Sequence, residues 1–156
     1  MLAATVLLVS APAWSVDMDP AFGRWVVDDG RAVVEIARCA EKVCGWLVWL
    51  REPFGANGEP KRDVNNLDRS KRMRPICRLR LIRDLTRVEP GVWEGGEIYS
   101  TRDGKRYGFD IEGVEGDRMT VRGYYGIPFL GRTQVWTRDN SMRRACTPFD
   151  RPGTNR

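Results

Sequence analysis

Polar and apolar positions alternate along most of the chain, and glycine-containing turns break the alternation. The clearest stretch begins at Arg106. Tyr107, Phe109 and Ile111 fall on one face, and Gly108, Asp110 and Glu112 on the other. A period of two marks a strand with one buried face. The same reading places strands at 23–27, 32–37, 45–50, 78–83, 92–99, 106–111, 118–124 and 133–138. The segment 45–50 is apolar on both faces, so it lies beneath other elements or along a cavity wall. Asp28-Asp29-Gly30, Arg102-Asp103-Gly104-Lys105 and Glu115-Gly116-Asp117 supply turn chemistry between strands. No helical pattern of comparable length occurs. Eight short strands joined mostly by tight turns predict an all-β fold, a single antiparallel up-and-down barrel. Such a barrel has an interior just wide enough for side chains or one small ligand.

One segment breaks the pattern. Between the third and fourth strands, 52–75 is irregular, interrupted by Pro53, Gly55, Asn57-Gly58 and Pro60. The spacing predicts a short helix over 66–72 with Asn66 as its cap. Long loops in compact domains are usually functional or mobile. This one reads either as a lid over the barrel mouth or as a plain excursion.

Composition sets the frame. At 156 residues, the chain is long enough for one domain with a real core. Residues 1–15 are an apolar run followed by small residues, Ala11-Pro12-Ala13 and Ala13-Trp14-Ser15, as in a secretory signal peptide. No Lys or Arg precedes the run, and a buried N-terminal element is the other reading. The run is shorter than the ~20 residues a membrane helix needs. The expected organisation is a leader at 1–15, a barrel domain at 16–140 and a polar tail at 141–156, loose unless Cys146 ties it down. The expected location is periplasmic or secreted.

The four cysteines fit export. Cys39 and Cys44 flank a polar turn, where a disulfide across a hairpin mouth is sterically easy. Cys77 and Cys146 then form the second pair by elimination. A zinc site is the alternative, but there is no C-x-x-C spacing and no histidine. No metal and no cofactor is expected.

Charge is uneven. Nine Lys/Arg and three Asp between Lys61 and Asp84 give this segment +6, against +5 for the whole chain. Arg72, Arg74, Arg78 and Arg80 are its centre. The plain reading is a solvated loop and strand edge. The functional reading is a basic patch for anionic lipid, lipopolysaccharide or wall polymer rather than nucleic acid.

Catalytic signals are weak. Without histidine there is no Ser-His or Cys-His dyad. Ser100 and Lys105 flank a turn, where serine is expected for local hydrogen bonding. Glu35, Asp63, Glu97 and Asp110 are candidates for paired carboxylates, though solvent-facing positions or arginine partners explain them as well. The aromatic residues are the better clue. They fill cores by default, but six Trp are generous for this length.

Several blocks carry a family resemblance: Gly23-Arg24-Trp25, Val34-Glu35-Ile36 with Cys39 and Cys44-Gly45, Asp63 with Asn66, Gly95-Gly96-Glu97-Ile98-Tyr99, Val121-Arg122-Gly123-Tyr124 and 130–138. Over about 22–138 the chain resembles the bacterial DUF2147 family of exported proteins, whose biochemical role is not established. It departs from that pattern at Leu67, Ser100 and Cys77. The family is similar to the lipocalin-like calycin barrels. That likeness implies an Arg from the last strand, Arg138 or Arg132, stacked on Trp25 to close one barrel end.

The expected function is binding of a small apolar or amphipathic ligand, with no enzymatic activity. Trp46, Trp49, Tyr107, Phe109 and Trp136 are the cavity candidates, with Arg122 or Glu35 as polar anchor. The alternative is a filled barrel that docks on an anionic envelope component through its basic segment. A carboxylate-dependent hydrolase is the third reading.

Overall fold

The computed structural model describes residues 18–141 and 143–147, so the expected leader lies outside the described residues. Eight strands form a closed barrel in which each pairs antiparallel with the next and the last with the first. They are β1 (Gly23–Val26), β2 (Ala32–Cys39), β3 (Lys42–Leu50), β4 (Arg80–Glu89), β5 (Val92–Tyr99), β6 (Arg106–Glu115), β7 (Arg118–Tyr124) and β8 (Arg132–Arg138). Helical structure among the described residues is limited to single 3-10 turns at Arg69–Lys71 and Pro128–Leu130. No helix there is long and apolar enough to cross a membrane.

Strands β4 and β6 run further than their sequence patterns predict. Residues 83–89 are mostly charged and exposed, so apolar alternation fades while the backbone ladder to β5 continues. The predicted helix is also smaller than expected. Its cap is Asp68, whose carboxylate accepts from the Ser70 N–H at 3.0 Å. Asn66 is drawn inward instead, as described below.

The up-and-down order puts the connections 27–31, 51–79, 100–105 and 125–131 at one end of the barrel. The opposite end is closed. Trp25, Ile36, Ile82, Leu85, Met119 and Trp136 fill the interior above it. Residues 18–22 plug that end. The buried Asp19 carboxylate accepts from Trp93 Nε1 at 3.0 Å and from the Gly91 and Ala21 N–H groups, and Arg87 lies 3.3 Å from its other oxygen. A buried carboxylate needs this many donors, because an unpaired buried charge is expensive.

The barrel seam is short: β1 meets β8 only at Trp25↔Arg138 and Val26↔Thr137. The Arg138 guanidinium covers it. It lies 4.0 Å from the Trp25 ring centroid and donates to Phe22 O at 2.9 Å and Pro20 O at 2.8 Å. Of the two arginines that the calycin likeness offers, Arg138 is the one at Trp25.

Both expected disulfides are formed, Cys39–Cys44 and Cys77–Cys146. The second ties the described tail residues 143–147 down on the outside of β3. Cys146 N–H donates to Val48 O at 2.8 Å, and Arg143 lies over the Trp49 ring at 4.8 Å. This explains the doubly apolar third strand: one face meets the barrel core and the other is covered by 143–147.

Candidate functional site

The interior is solid at the closed end and hollow at the other. A cavity of about 420 Å³ opens between β5, β6, β7 and β8. Its floor is Phe109, Val121 and Trp136, and Ile98 and Tyr107 stand on its walls. Phe109 and Trp136 pack against each other at 5.6 Å between ring centroids. Tyr125 and Leu130, from the β7–β8 connection, form the rim.

Strand parity supplies its polar groups. Counting back from the buried Trp136, Gln134 and Arg132 point the same way, and both line the cavity. Gln134 Oε1 accepts from Trp136 Nε1 at 3.1 Å, which fixes the indole. Arg132 is exposed at the entrance, and its guanidinium has no ion-pair partner among the described residues. Gly123 follows Val121 on the inner face. A Cβ built there meets no atom within 4 Å, so the absent side chain leaves part of the hollow.

Two tyrosines at this end are held in the neutral form. Tyr107 donates its hydroxyl to Asp103, and that bond raises its pKa above the ordinary value and lowers that of Asp103. Burial, followed by the Asp110 carboxylate, raises Tyr124.

The residues singled out from sequence fall into two groups. Tyr107, Phe109 and Trp136 meet in the cavity. Glu35, Trp46, Trp49 and Arg122 do not. Ile36 pairs with Gly45 and Val34 with Trp25 on the inner face, so Glu35 and its partner Trp46 face outward. A bulge between Val33 and Val34 sets Trp49 opposite Val33 on that same outer face. Arg122 alternates with Val121 and also points out. Its guanidinium clamps the β7–β8 connection, donating to Pro128 O at 2.7 Å, Thr133 Oγ1 at 2.8 Å and Phe129 O at 3.2 Å. Sequence reading passed over Gly123, Arg132 and Gln134 as cavity residues, although counting by two from Val121 and Trp136 finds all three.

The carboxylates do not gather into a pair. Glu97 bonds Arg83, and Asp110 accepts from the Gly95 N–H at 2.8 Å. Asp63 lies in the long connection, fully buried against the outside of β5. It accepts from Tyr99 Oη at 2.7 Å, Asn66 Nδ2 at 2.7 Å and Arg74 Nε at 2.9 Å. Burial first, and the Asp63 hydrogen bond second, raise the Tyr99 pKa. The cluster anchors the loop to the barrel wall. Among the described residues no three His, Cys, Asp or Glu groups are placed to hold a metal ion.

The basic segment is split by the same anchoring. Arg74 is committed to Asp63, and Arg72 donates to Asn66 O at 2.7 Å. Arg78 and Arg80 remain exposed. Beside the loop lies a wider cleft of about 1160 Å³, lined by Arg51, Lys61, Arg62 and Arg102 over Leu50 and Ile76. Lys61 and Arg62 there already face Glu52 and Glu59.

Known proteins place the fold. A protein from Helicobacter pylori, HP1028, described as belonging to the lipocalin family, superposes with a TM-score of 0.66 at 20% identity, over 76% of this chain and 82% of its own. No curated protein matches the sequence significantly. The model of DUF2147, described as an uncharacterized protein conserved in bacteria, matches residues 23–138, the whole span from the first strand to the last. By that match the chain belongs to the DUF2147 family.

Proposed function

We propose that this protein is an extracytoplasmic carrier or sensor that holds one compact amphipathic molecule, its apolar part in the barrel mouth and an anionic head at Arg132. The observation that carries the reading is the cavity itself: an aromatic floor with two convergent polar groups at one edge. That is the usual make-up of a small-molecule site, and about 420 Å³ sits low in the typical range of roughly 300–1,000 Å³. The two disulfides support an oxidising compartment, and the apolar 1–15 segment supports export. Binding rather than catalysis is favoured because Asp63, Glu97 and Asp110 are each engaged by a different partner on the outer wall, and Glu35 also faces outward.

Titration with an aromatic sulfonate dye, read by dye fluorescence and Trp emission, tests the reading. At Gly123 a Cβ meets no neighbour, so Gly123→Leu directs its side chain into the hollow and is expected to weaken binding by roughly tenfold or more, since the displaced ligand surface loses its apolar burial. Arg132→Ala is expected to remove the preference for anions over neutral analogues. Unchanged dye affinity in Gly123→Leu would place the ligand elsewhere and sink the proposal.

A further inference from the structure

The two ends of the barrel differ in charge and in apolar exposure, and both differences point the same way. The four connections at the open end carry eleven Lys/Arg against seven Asp/Glu. The three connections at the closed end carry Glu41 and Asp117 and no base. Nine large apolar side chains are exposed among the described residues, and seven of them are in the open-end connections. Four belong to the β7–β8 connection alone: Tyr125 at 74% exposed, Ile127 at 57%, Phe129 at 85% and Leu130 at 72%. Single exposed apolar residues are ordinary, but a cluster of this kind marks an interaction site.

The cluster is held in place. Two Arg122 hydrogen bonds fix the backbone of Pro128 and Phe129 from the outer wall, and a third holds the Thr133 hydroxyl on β8. Tyr125 rests edge-on against Tyr107, with ring centroids 6.3 Å apart. The apolar tip is therefore presented ready-made, which spares binding the cost of ordering it. Arg132 flanks it on β8, and Lys105 is exposed in the neighbouring β5–β6 connection.

We infer that the open end docks on an anionic phospholipid surface, with the Tyr125–Leu130 connection inserted at the interface and the surrounding Lys/Arg side chains facing the head groups. Apolar insertion together with a basic surround is the recognised combination for peripheral attachment to an anionic leaflet. The committed occupant is a bilayer because four exposed apolar side chains on one connection lie beside the exposed cations Arg132 and Lys105, at the end that carries the excess of base. Leu130 and Tyr125 belong to both the docking tip and the cavity rim, so the inference deepens the proposed function. The docked mouth opens onto the bilayer, and an amphipathic molecule passes between the two without crossing water.

Vesicle flotation tests it. The oxidised protein is mixed with equimolar phosphatidylglycerol–phosphatidylcholine vesicles and, separately, with pure phosphatidylcholine vesicles. The expected result is flotation with the anionic vesicles only. Flotation should fall in about 1 M salt, where the Debye length shrinks to about 3 Å. The double variant Phe129→Glu/Leu130→Glu should partition roughly tenfold less, because two apolar side chains no longer enter the interface. Both positions are exposed, so the fold is expected to survive, checked by circular dichroism. Gly123→Leu should float like the unchanged protein although it loses the dye. That separates the two readings: docking without dye binding removes the cavity, and dye binding without docking removes this inference. Absence of flotation with anionic vesicles, equal flotation with neutral ones, or an unaffected double variant would each overturn it.

Discussion

Arg138 joins the last strand to the first strand and the plug just before it, far away in sequence. It stands on the last strand, stacks on an indole of the first, and bonds the carbonyls of the plug before it. Stacking contributes roughly 0.5–2 kcal/mol and each hydrogen bond roughly 0.5–1.5 kcal/mol net. Arg138→Ala is therefore expected to destabilise the barrel by about 2–4 kcal/mol, measured by urea unfolding followed through Trp fluorescence. Arg138→Lys should recover only part, since an ammonium cannot stack flat while bonding two carbonyls. A loss within experimental error would mean that the two-residue seam closes without it. Tyr99 makes a second residue-scale case. Its pKa is raised above the ordinary 10.0, so the fold favours the neutral phenol. This contribution is fully present below pH 10.0 and is lost as pH rises through the elevated folded value. Tyr99→Phe is expected to flatten the alkaline fall in stability while lowering stability at neutral pH, where Asp63 loses a donor. Absorbance titration of the tyrosines beside unfolding at matched pH checks both parts. An alkaline fall unchanged in Tyr99→Phe would assign it to Tyr107 and Tyr124, which are also raised.

At the scale of elements, the strands were legible because alternation is a local property. The eight runs of apolar residues and their turns correspond one to one with β1–β8. Strand ends were less legible. In β4 the exposed charged residues erase the alternation, yet neighbouring backbone still recruits them into the ladder. The long connection was legible as irregular, but not its attachment. Asn66, read as a helix cap, is instead a buried donor to Asp63. Only the folded chain brings Tyr99 and Arg74 to the same carboxylate. The turn 100–105 adds a steric fit: at Gly104 a Cβ would stand 2.0 Å from Asn65 O, and its φ is +73°, so only glycine lets the loop settle there. The second disulfide supports this arrangement from the other side. It closes a span of 69 residues, against 5 for Cys39–Cys44. Loop-closure entropy predicts that Cys77→Ala/Cys146→Ala costs about 4 kcal/mol and Cys39→Ala/Cys44→Ala about 2 kcal/mol. Thermal unfolding of the two double variants should rank them in that order, and the reverse order would show that the short bridge restrains something besides its own hairpin.

The whole molecule sorts its properties between its two ends. The closed end is plugged by 18–22 and filled by large side chains, whereas the open end carries the cavity, the long loop, the exposed apolar tip and most of the net positive charge. The sequence by itself determined the fold class, the strand number and the hairpin-mouth pairing of Cys39 with Cys44, because period, turn chemistry and close spacing are written in short stretches. It could not determine which face of β3 looks inward, since that strand is apolar on both sides and a bulge in its pairing with β2 shifts its register at Trp49. Nor could it determine where the barrel is hollow. That depends on how side chains from eight strands share one interior volume, on the glycine at position 123 leaving its share empty, and on which end the plug occupies. These are properties of packing between segments far apart in the chain, and only the tertiary structure decides them.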